Sequence, residues 1–401
     1  MLVRRLIIFL SAFLFPVIAV GQRLDARDTA KAAIRLPRQW LETMADIRPL
    51  YTQDTLTLCF AGDMMMHSAQ LAAGGLRDSG SNSFSGTADV ERFEDCFAYI
   101  KNHIVAADLA VANMECTFAG SPYSGYPCFS APDEYAYAVA NAGFDVFCCA
   151  NNHIFDKGSA GAERTMQLYR EMGIPFTGIV SDSTAFGRPA PVVEPLLTAH
   201  NGIKIAFINF SYGTNSRADR VRINLMSDRT GIEAAIRQAR RTGTDVVIAL
   251  PHWGEEYRLK HNSAQREMAE WLVSKGVDAV IGCHPHVVQD YETIDGKPVV
   301  YSMGNFISNM SAENTQLGMT VHMKIIRNSN GTIEIPVPGF TLTWCSRPGG
   351  FNDNYTVLPI TELLDRAELW KSRHDYDKMK RTYYNIIKSN PEYDKQDSYT
   401  D

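Results

Sequence analysis

The chain has 401 residues, of which 45% are hydrophobic and 21% are charged, and its formal net charge is −6. This is the composition of an ordinary globular protein with one large domain or two smaller ones. An acidic surface repels phosphate backbones, and no cluster of Lys and Arg offsets that charge, which argues against nucleic-acid binding.

A secretory signal peptide is predicted at the amino end. Two arginines precede an apolar run from Leu6 to Val20, and small residues follow up to Gln22. Because the run is short for a membrane span, we predict that residues 1–21 are cleaved before Gln22 and that the protein is exported to the periplasm or the exterior. An uncleaved membrane anchor is the alternative.

The rest of the chain is predicted to form three parts. Residues 22–54 are a polar lead-in with a helix near Thr29 to Ala45, residues 55–345 are the main domain, and residues 346–401 are a helical extension. Within the main domain, strand-like and helix-like segments alternate, which predicts an α/β fold with helices on the faces of sheets.

The predicted elements follow from hydrophobic periodicity and from turn residues. The strands are residues 56–63, 109–115, 144–150, 191–194, 203–209, 246–250, 277–282 and 299–302. The helices are residues 90–105, 134–143, 160–172, 229–241 and 263–275. A hairpin is predicted from residues 321–327 and 332–337 around the turn Asn328–Gly331, and a charged helix over residues 362–388.

Eight cysteines in an exported chain suggest disulfides. Four of them fall in predicted buried strands, where cysteine behaves as a small hydrophobic residue: Cys59, Cys148, Cys149 and Cys283. Cys116 and Cys128 flank a loop and are the one pair that we consider for a disulfide.

Five predicted strands end abruptly in polar side chains. In open α/β sheets, ligands bind outside the carboxyl ends of the strands. Polar residues placed there are therefore more often functional than polar residues in the middle of a strand. The types found are those of a metal site with oxygen and imidazole ligands. The candidate ligands are Asp63, Glu115, Asn152, His252, His284 and His286. His284 and His286 are expected to point the same way, because side chains alternate along an extended segment.

Six motifs, found in order, carry a family resemblance. They are Ala61-Gly-Asp63, Asn113-Met-Glu115, Ala150-Asn-Asn-His-Ile-Phe-Asp-Lys-Gly158, His252-Trp-Gly-Glu-Glu-Tyr257, Gly282-Cys-His-Pro-His286 and Tyr301-Ser-Met-Gly-Asn-Phe306. Over roughly residues 55 to 310 the chain resembles the CapA-type capsule-synthesis proteins, associated with poly-γ-glutamate capsules. These are a branch of the calcineurin-like metallophosphoesterase fold, so the resemblance implies a four-layer α/β/β/α sandwich.

The resemblance also implies a centre of two divalent metal ions, with Mn, Fe or Zn as the candidates. Asp63 and His286 would hold one ion, and Glu115 would bridge the two. The other ion would be held by Asn152, His252 and His284.

His153 takes the position of the histidine that protonates the leaving group, and we predict that Asp156 orients it. Asn113 and Asn151 are interpreted instead as strand-end residues that satisfy backbone amides.

The first motif departs from the wider phosphoesterase pattern Asp-x-His, because Met65 stands where the histidine is expected. His67 could replace that ligand if the end of the strand turns sharply, and it is kept as a candidate. The bridging residue is Glu115 where the pattern has Asp, so the resemblance leaves the spacing of the two metals open.

The expected function is therefore that of an exported, metal-dependent hydrolase acting on an anionic capsule or envelope polymer of the polyglutamate type. Capsule-assembly proteins are expected as further partners, and the membrane only by proximity or through an uncleaved signal. Two alternatives stay open: a non-catalytic subunit that binds polymer, and a periplasmic phosphodiesterase unrelated to capsule. A deacetylase fits less well, since the chain lacks an Asp-Asp pair with His-x-x-x-His.

Overall fold

The structure is a computed structural model that describes residues 55–181 and 194–394. The predicted signal peptide, the lead-in helix and the predicted strand 191–194, apart from its last residue, lie outside these ranges. Within them, no helix combines the length and the apolar composition that a membrane crossing requires.

The strands are short, apart from those at the centres of the sheets. In the first half they are β1 (Thr55–Met64), β2 (Arg77–Asp78), β3 (Phe84–Ser85), β4 (Leu109–Met114), β5 (Val146–Cys148), β6 (Phe176–Thr177), β7 (Ile179–Ser181), β8 (Leu196–His200) and β9 (Ile203–Ser211). The second half holds β10 (Val221–Ile223), β11 (Val246–His252), β12 (Ala279–Ile281), β13 (Tyr291–Ile294), β14 (Lys297–Val300), β15 (Asn305–Ile307), β16 (Leu317–Arg327), β17 (Ile333–Glu334), β18 (Gly339–Ser346) and β19 (Thr356–Pro359).

Two large sheets form the centre of the molecule. The first has the order β19-β18-β16-β1-β4-β5-β6, with β15 paired to β1 and β17 paired to β16. The second has the order β13-β14-β12-β11-β9-β8. Strands β1, β4 and β5 run parallel in the first sheet, and β9, β11 and β12 run parallel in the second. Parallel neighbours end at the same edge, which is where polar residues following each strand can meet.

The helices cover the outer faces of the sheets, except for the last one, which packs into the apolar cluster between the sheets. They are α1 (Ser68–Ala73), α2 (Val90–Glu94), α3 (Lys101–Val105), α4 (Asp133–Asn141), α5 (Gly158–Met172), α6 (Arg229–Arg241), α7 (Ser263–Ser274) and α8 (Arg373–Ser389). One apolar cluster lies between α2, α4, α5 and the first sheet, a second between the two sheets, and a third between α6, α7 and the second sheet. The layers are thus α/β/β/α, which confirms the expected four-layer sandwich.

Period-two alternation explains why both faces of the central strands are buried. In β9, Phe207 points between the sheets, whereas Ile208 points towards the helices of the second sheet. The ring of Phe207 meets that of Phe60 from β1 at 6.3 Å between centroids. Contacts of this kind hold the two sheets face to face and therefore set the distance between their edges.

The predicted helix over residues 90–105 is wrong in its continuity. Helix α2 ends at Glu94, a 3-10 turn covers Asp95–Phe97, and α3 begins only at Lys101. The tighter turn brings the ring of Phe97 onto Phe306, with 6.1 Å between centroids. Tertiary packing has here overridden a uniform local helix propensity.

The predicted helix over residues 362–388 begins later than expected. Two 3-10 turns cover the start, and α8 begins after Ser372, whose hydroxyl accepts the backbone N–H of Asp375 at 3.2 Å. A serine in this position satisfies an unpaired amide of the first helical turn. Met379 and Ile386 of α8 are fully buried in the cluster between the sheets.

The predicted hairpin turn over Asn328–Gly331 is confirmed, since the backbone N–H of Asn328 donates to Thr332 at 2.9 Å and β16 pairs antiparallel with β17. Strand β17 has only two residues, because Pro336 soon removes a backbone donor. The main partners of β16 are instead β1 and β18.

The eight cysteines are all free thiols. Cys116 is buried and Cys128 is exposed, so the one pair considered for a disulfide is not bonded.

Candidate metal centre

Five of the six principal candidates converge at the shared edge of the two sheets. Asp63 lies near the end of β1 and Glu115 directly follows β4. His252 ends β11, whereas His284 and His286 follow β12. All five side chains are buried. The parallel strands therefore bring these five candidate side chains to one edge of the two sheets.

Two overlapping groups have ligand atoms close enough to share an ion. One group is Asp63, Glu115 and His252, and the other is Glu115, His284 and His286; within each, the ligand atoms lie within 4.8 Å of one another. Glu115 belongs to both groups, as a bridging carboxylate would. In the structure, Asp63 groups with His252, and His284 groups with His286. The resemblance instead implies that Asp63 pairs with His286 and that His252 pairs with His284.

Glu115 supplies the test of whether a metal fits this site. Its two carboxylate oxygens are buried and have no hydrogen-bond partner, and Nδ1 of His284 is in the same condition. Buried polar atoms are nearly always satisfied by a partner. Divalent cations bind carboxylate oxygens and imidazole nitrogens that face one another and have no other partner. The residues present therefore fit a divalent metal centre.

Charge within the site is divided unequally between its two carboxylates. Burial opposes ionisation of Asp63, but the hydrogen bond from His286 and the charge of that imidazole hold the pKa of Asp63 at about 2. Burial, and then the charge of Asp63, raise the pKa of Glu115 well above its ordinary value. The lone negative charge of Asp63 thus makes a second negative charge at Glu115 costly, and a cation would relieve that cost.

The three histidines of the site also differ in the direction in which their pKa values are shifted. Burial, and then the charge of His284, lower the pKa of His252 well below its ordinary value, and burial lowers that of His284 to about 3. Burial also disfavours charge on His286, but its hydrogen bond to Asp63 raises its pKa overall. His252 and His284 are therefore neutral at neutral pH, which is the form of imidazole that binds metals.

Asn152 contacts the cluster directly. Nε2 of His252 donates to its Oδ1 at 2.8 Å, and its backbone carbonyl accepts the N–H of Asn215, also at 2.8 Å. The amide oxygen of Asn152 consequently faces the same space as His252. All six principal candidates thus lie together.

His67 lies apart from both groups. It caps the start of α1, where Oε1 of Gln70 accepts its backbone N–H at 2.9 Å, and its Nδ1 lies 3.1 Å from the same oxygen. Its ring packs against Phe129 at 5.3 Å between centroids. The chain turns into α1 directly after β1, so His67 is placed beside the cluster and has a structural role of its own. Met65 is buried in the outer core and supplies no ligand to the centre.

His153 and Asp156 form a buried pair next to the candidate metal ligands. Nδ1 of His153 donates to Oδ2 of Asp156 at 2.8 Å, and the backbone N–H of Phe129 donates to the same oxygen at 2.8 Å. The side-chain N–H of Asn215 faces Nε2 of His153 at 3.4 Å. The carboxylate thus sets the tautomer and the direction of the imidazole.

Two further asparagines orient the candidate ligands. Asn113 donates from Nδ2 to Oδ1 of Asp63 at 2.8 Å, so the interpretation that it satisfies backbone amides is wrong, and its side chain supports a candidate ligand. Asn305 accepts from Nδ1 of His286 at 2.9 Å. Partners of this kind fix the direction of metal ligands. Asn151, as interpreted from the sequence, bonds backbone: its amide donates to the carbonyl of Met114 at 2.9 Å.

Sequence reasoning overlooked the segment that follows β9. It brings Tyr212 onto the cluster, with its ring 4.4 Å from that of His284, and it brings Asn215 to His153. The signal was present, since Asn209, Ser211, Tyr212 and Asn215 form one more polar ending of a predicted strand.

Comparison with known proteins places this site in a family context. The model of the family described as bacterial capsule synthesis protein PGA_cap matches residues 57–310. The capsule biosynthesis protein CapA of Bacillus anthracis is 24% identical over 375 residues, covering 89% of this chain and 85% of that protein. The PGA biosynthesis protein CapA of Bacillus subtilis is 23% identical, covering 71% of this chain and 72% of that protein.

Among solved structures, a putative 5′-nucleotidase from Staphylococcus aureus matches with a TM-score of 0.44 and 11% identity. The match covers 82% of this chain and 58% of that protein's length.

Proposed function

Because the chain belongs to the bacterial capsule synthesis family, whose model spans residues 57–310, we propose that it is a metal-dependent hydrolase that synthesises or processes a capsule or envelope polymer of the poly-γ-glutamate type. The observation that carries the proposal is the shared carboxylate of Glu115, which is buried without a hydrogen-bond partner between two groups of candidate ligands. The proposal includes export of the protein, since the polymer lies outside the cell.

Asp63, Glu115, His252, His284 and His286 would hold two divalent ions, with Asn152 beside them. When bound, such ions activate water and neutralise negative charge on a substrate. This would let an acidic protein accept a polyanion. The buried positions of the ligands exclude bulk water, so the electrostatic effect of the ions would be strong.

His153 would supply the proton that the leaving group needs. In the hydrolysis, the oxygen of water joins the phosphoryl or acyl centre, the bond to the leaving group breaks, and the leaving atom takes a proton from Nε2 of His153. The remaining proton of water restores that nitrogen. Asp156 would hold the imidazole and stabilise its cationic form, because its Oδ2 accepts from Nδ1 at 2.8 Å.

The first experiment is metal content per chain, measured by elemental analysis after incubation with Mn²⁺, Zn²⁺ or Fe²⁺. We expect about two ions in the parent and fewer in His252→Ala and His284→Ala. His322→Gln is a matched control, since His322 is also a buried histidine but lies on β16, hydrogen-bonded to Thr320. Folded parent protein that takes up no metal would overturn the proposal.

A non-catalytic subunit that binds polymer is the second candidate. Met65 and the separate position of His67 favour it, because the first motif then contributes one ligand where the wider pattern has two. The loaded protein should be assayed on γ-glutamyl peptides and on an activated phosphodiester. Turnover of the peptides supports the hydrolase, turnover of the phosphodiester alone supports a general phosphodiesterase, and binding without turnover supports the subunit.

A further inference from the structure

Two exposed tyrosines stand over the candidate ligands. Tyr212 is 42% exposed and Tyr257 is 45% exposed. The ring of Tyr212 lies 4.4 Å from that of His284, and the ring of Tyr257 lies 6.4 Å from that of His286. Large aromatic side chains are usually buried, so two half-exposed rings above a buried polar site indicate a surface for a ligand.

The backbone holds Tyr257 in place at some conformational cost. Its φ angle is +66°, which is rare for a bulky residue, and its N–H donates to the carbonyl of Pro285 at 2.8 Å. The loop behind it is fixed by Gln289, whose Nε2 donates to the carbonyls of Arg258 and Lys260 at 2.9 and 3.2 Å. Strain that is held by such contacts is characteristic of functional sites.

The rim beside Tyr257 carries an exposed carboxylate. Glu256 directly precedes Tyr257, is exposed, and is the carboxylate that acts most strongly on both Tyr212 and Tyr257. The α-carboxylates along the interior of a polyglutamate chain would be repelled here. An ammonium group would instead be attracted by Glu256 and by the faces of the two rings.

We propose that Tyr212, Glu256 and Tyr257 form a recognition site for a primary ammonium group, so that the substrate is the amino end of an amide-linked chain. The inference rests on the proposed function, because it concerns the same centre. It deepens that function by assigning direction: a chain would enter with its free amino end on the rim and its adjacent acyl group over the ligands.

The test compares a tri-γ-glutamyl peptide with a free amino end and the same peptide acetylated at that end. Binding to the full protein loaded with Mn²⁺ is measured by titration calorimetry. The free peptide is expected to bind about fivefold or more tightly than the acetylated one, as expected for an exposed cation–π contact together with a surface ion pair.

Variants then identify the residues that cause the preference for the free peptide. Glu256→Gln and Tyr257→Ala should reduce it to within about twofold, whereas Tyr257→Phe, which keeps the ring, should retain most of it. The matched control is Glu255→Gln. Glu255 is the neighbouring exposed carboxylate, paired with Arg258 at 3.6 Å, and its replacement should leave the preference unchanged.

Equal binding of the two peptides to the parent, tighter binding of the acetylated peptide, or binding of neither would overturn the ammonium site. A preference that survives in Glu256→Gln and Tyr257→Ala would also overturn it. Failure of the proposed function gives a different result: neither peptide is hydrolysed, while the free peptide still binds more tightly.

Discussion

The carboxylate of Glu115 lies 3.5 Å from Nε2 of His252, and neither of its oxygens accepts a hydrogen bond. Both side chains are fully or almost fully buried. An ionised carboxylate without donors costs stability in the folded protein, and a bound cation removes that cost. The relationship therefore makes metal binding and folding stability depend on the same residue.

Replacement of Glu115 by Gln should change stability in opposite directions with and without metal. In EDTA, Glu115→Gln should raise the free energy of unfolding by about 1–3 kcal/mol, because a neutral amide is less costly to bury than a carboxylate. With Mn²⁺ the parent should gain stability and the variant should gain little. Thermal unfolding in both conditions measures this. A variant that is less stable than the parent in EDTA would contradict the prediction.

Replacement of Asp156 by Asn should lower turnover without loss of metal. The amide oxygen can still accept from Phe129, but it stabilises a cationic His153 less well than a carboxylate does. We expect about a tenfold loss of kcat for Asp156→Asn and a loss of about 10²-fold or more for His153→Ala. Steady-state kinetics alongside metal analysis separates the two effects. Full activity of His153→Ala on an unactivated substrate would rule out its role as proton donor.

Gly62 should not tolerate a side chain. A Cβ there would lie 1.9 Å from the carbonyl oxygen of Gly304, which also accepts the backbone N–H of Asp63 at 2.9 Å. Gly62→Ala should therefore lower the free energy of unfolding by about 3 kcal/mol or prevent folding. Gly213→Ala is the control, since a Cβ at Gly213 meets no atom within 4 Å. Equal stability of the two variants in urea unfolding would disprove the steric argument.

Asp145 should make stability depend on pH. Burial raises its pKa to about 6 from an ordinary value of 3.8, although the backbone N–H of Ala110 donates to its carboxylate at 2.8 Å. Between these values the folded state binds more protons than the unfolded state, so this contribution to stability is complete below the lower value and is lost as the pH rises through about 6.

Asp145→Asn removes this dependence. Its free energy of unfolding should exceed that of the parent by about 1–2 kcal/mol above pH 7, and the difference should shrink towards pH 4. Asp108→Asn is a control, because Asp108 accepts the backbone N–H of Thr57 at 2.8 Å but is exposed. A difference between Asp145→Asn and its parent that stays constant with pH would show that burial of the charge is not the cause.

Several strands were not predicted from the sequence. Strands β13 and β14 form a hairpin around Asp295 and Gly296, both with positive φ. The dipeptide Asp-Gly is a strong hairpin signal, but only the second strand was predicted. Strands β18 and β19 were not predicted, and they extend the first sheet beyond residue 345.

The sequence by itself determined the order of the main strands, the polar residues that end them and the family to which they belong. Local periodicity and residue type are sufficient for these, because they act over a few neighbouring positions. Tertiary structure alone decided which endings meet. Asp63 and His286 are 223 positions apart in the sequence, yet Nδ1 of His286 lies 3.1 Å from Oδ2 of Asp63. This contact exists because the two sheets pack face to face and the carboxyl ends of their strands meet at one edge. The same packing left His67 beside the cluster and brought Tyr212 onto it, since distances between strand ends depend on the core between the sheets rather than on any local pattern.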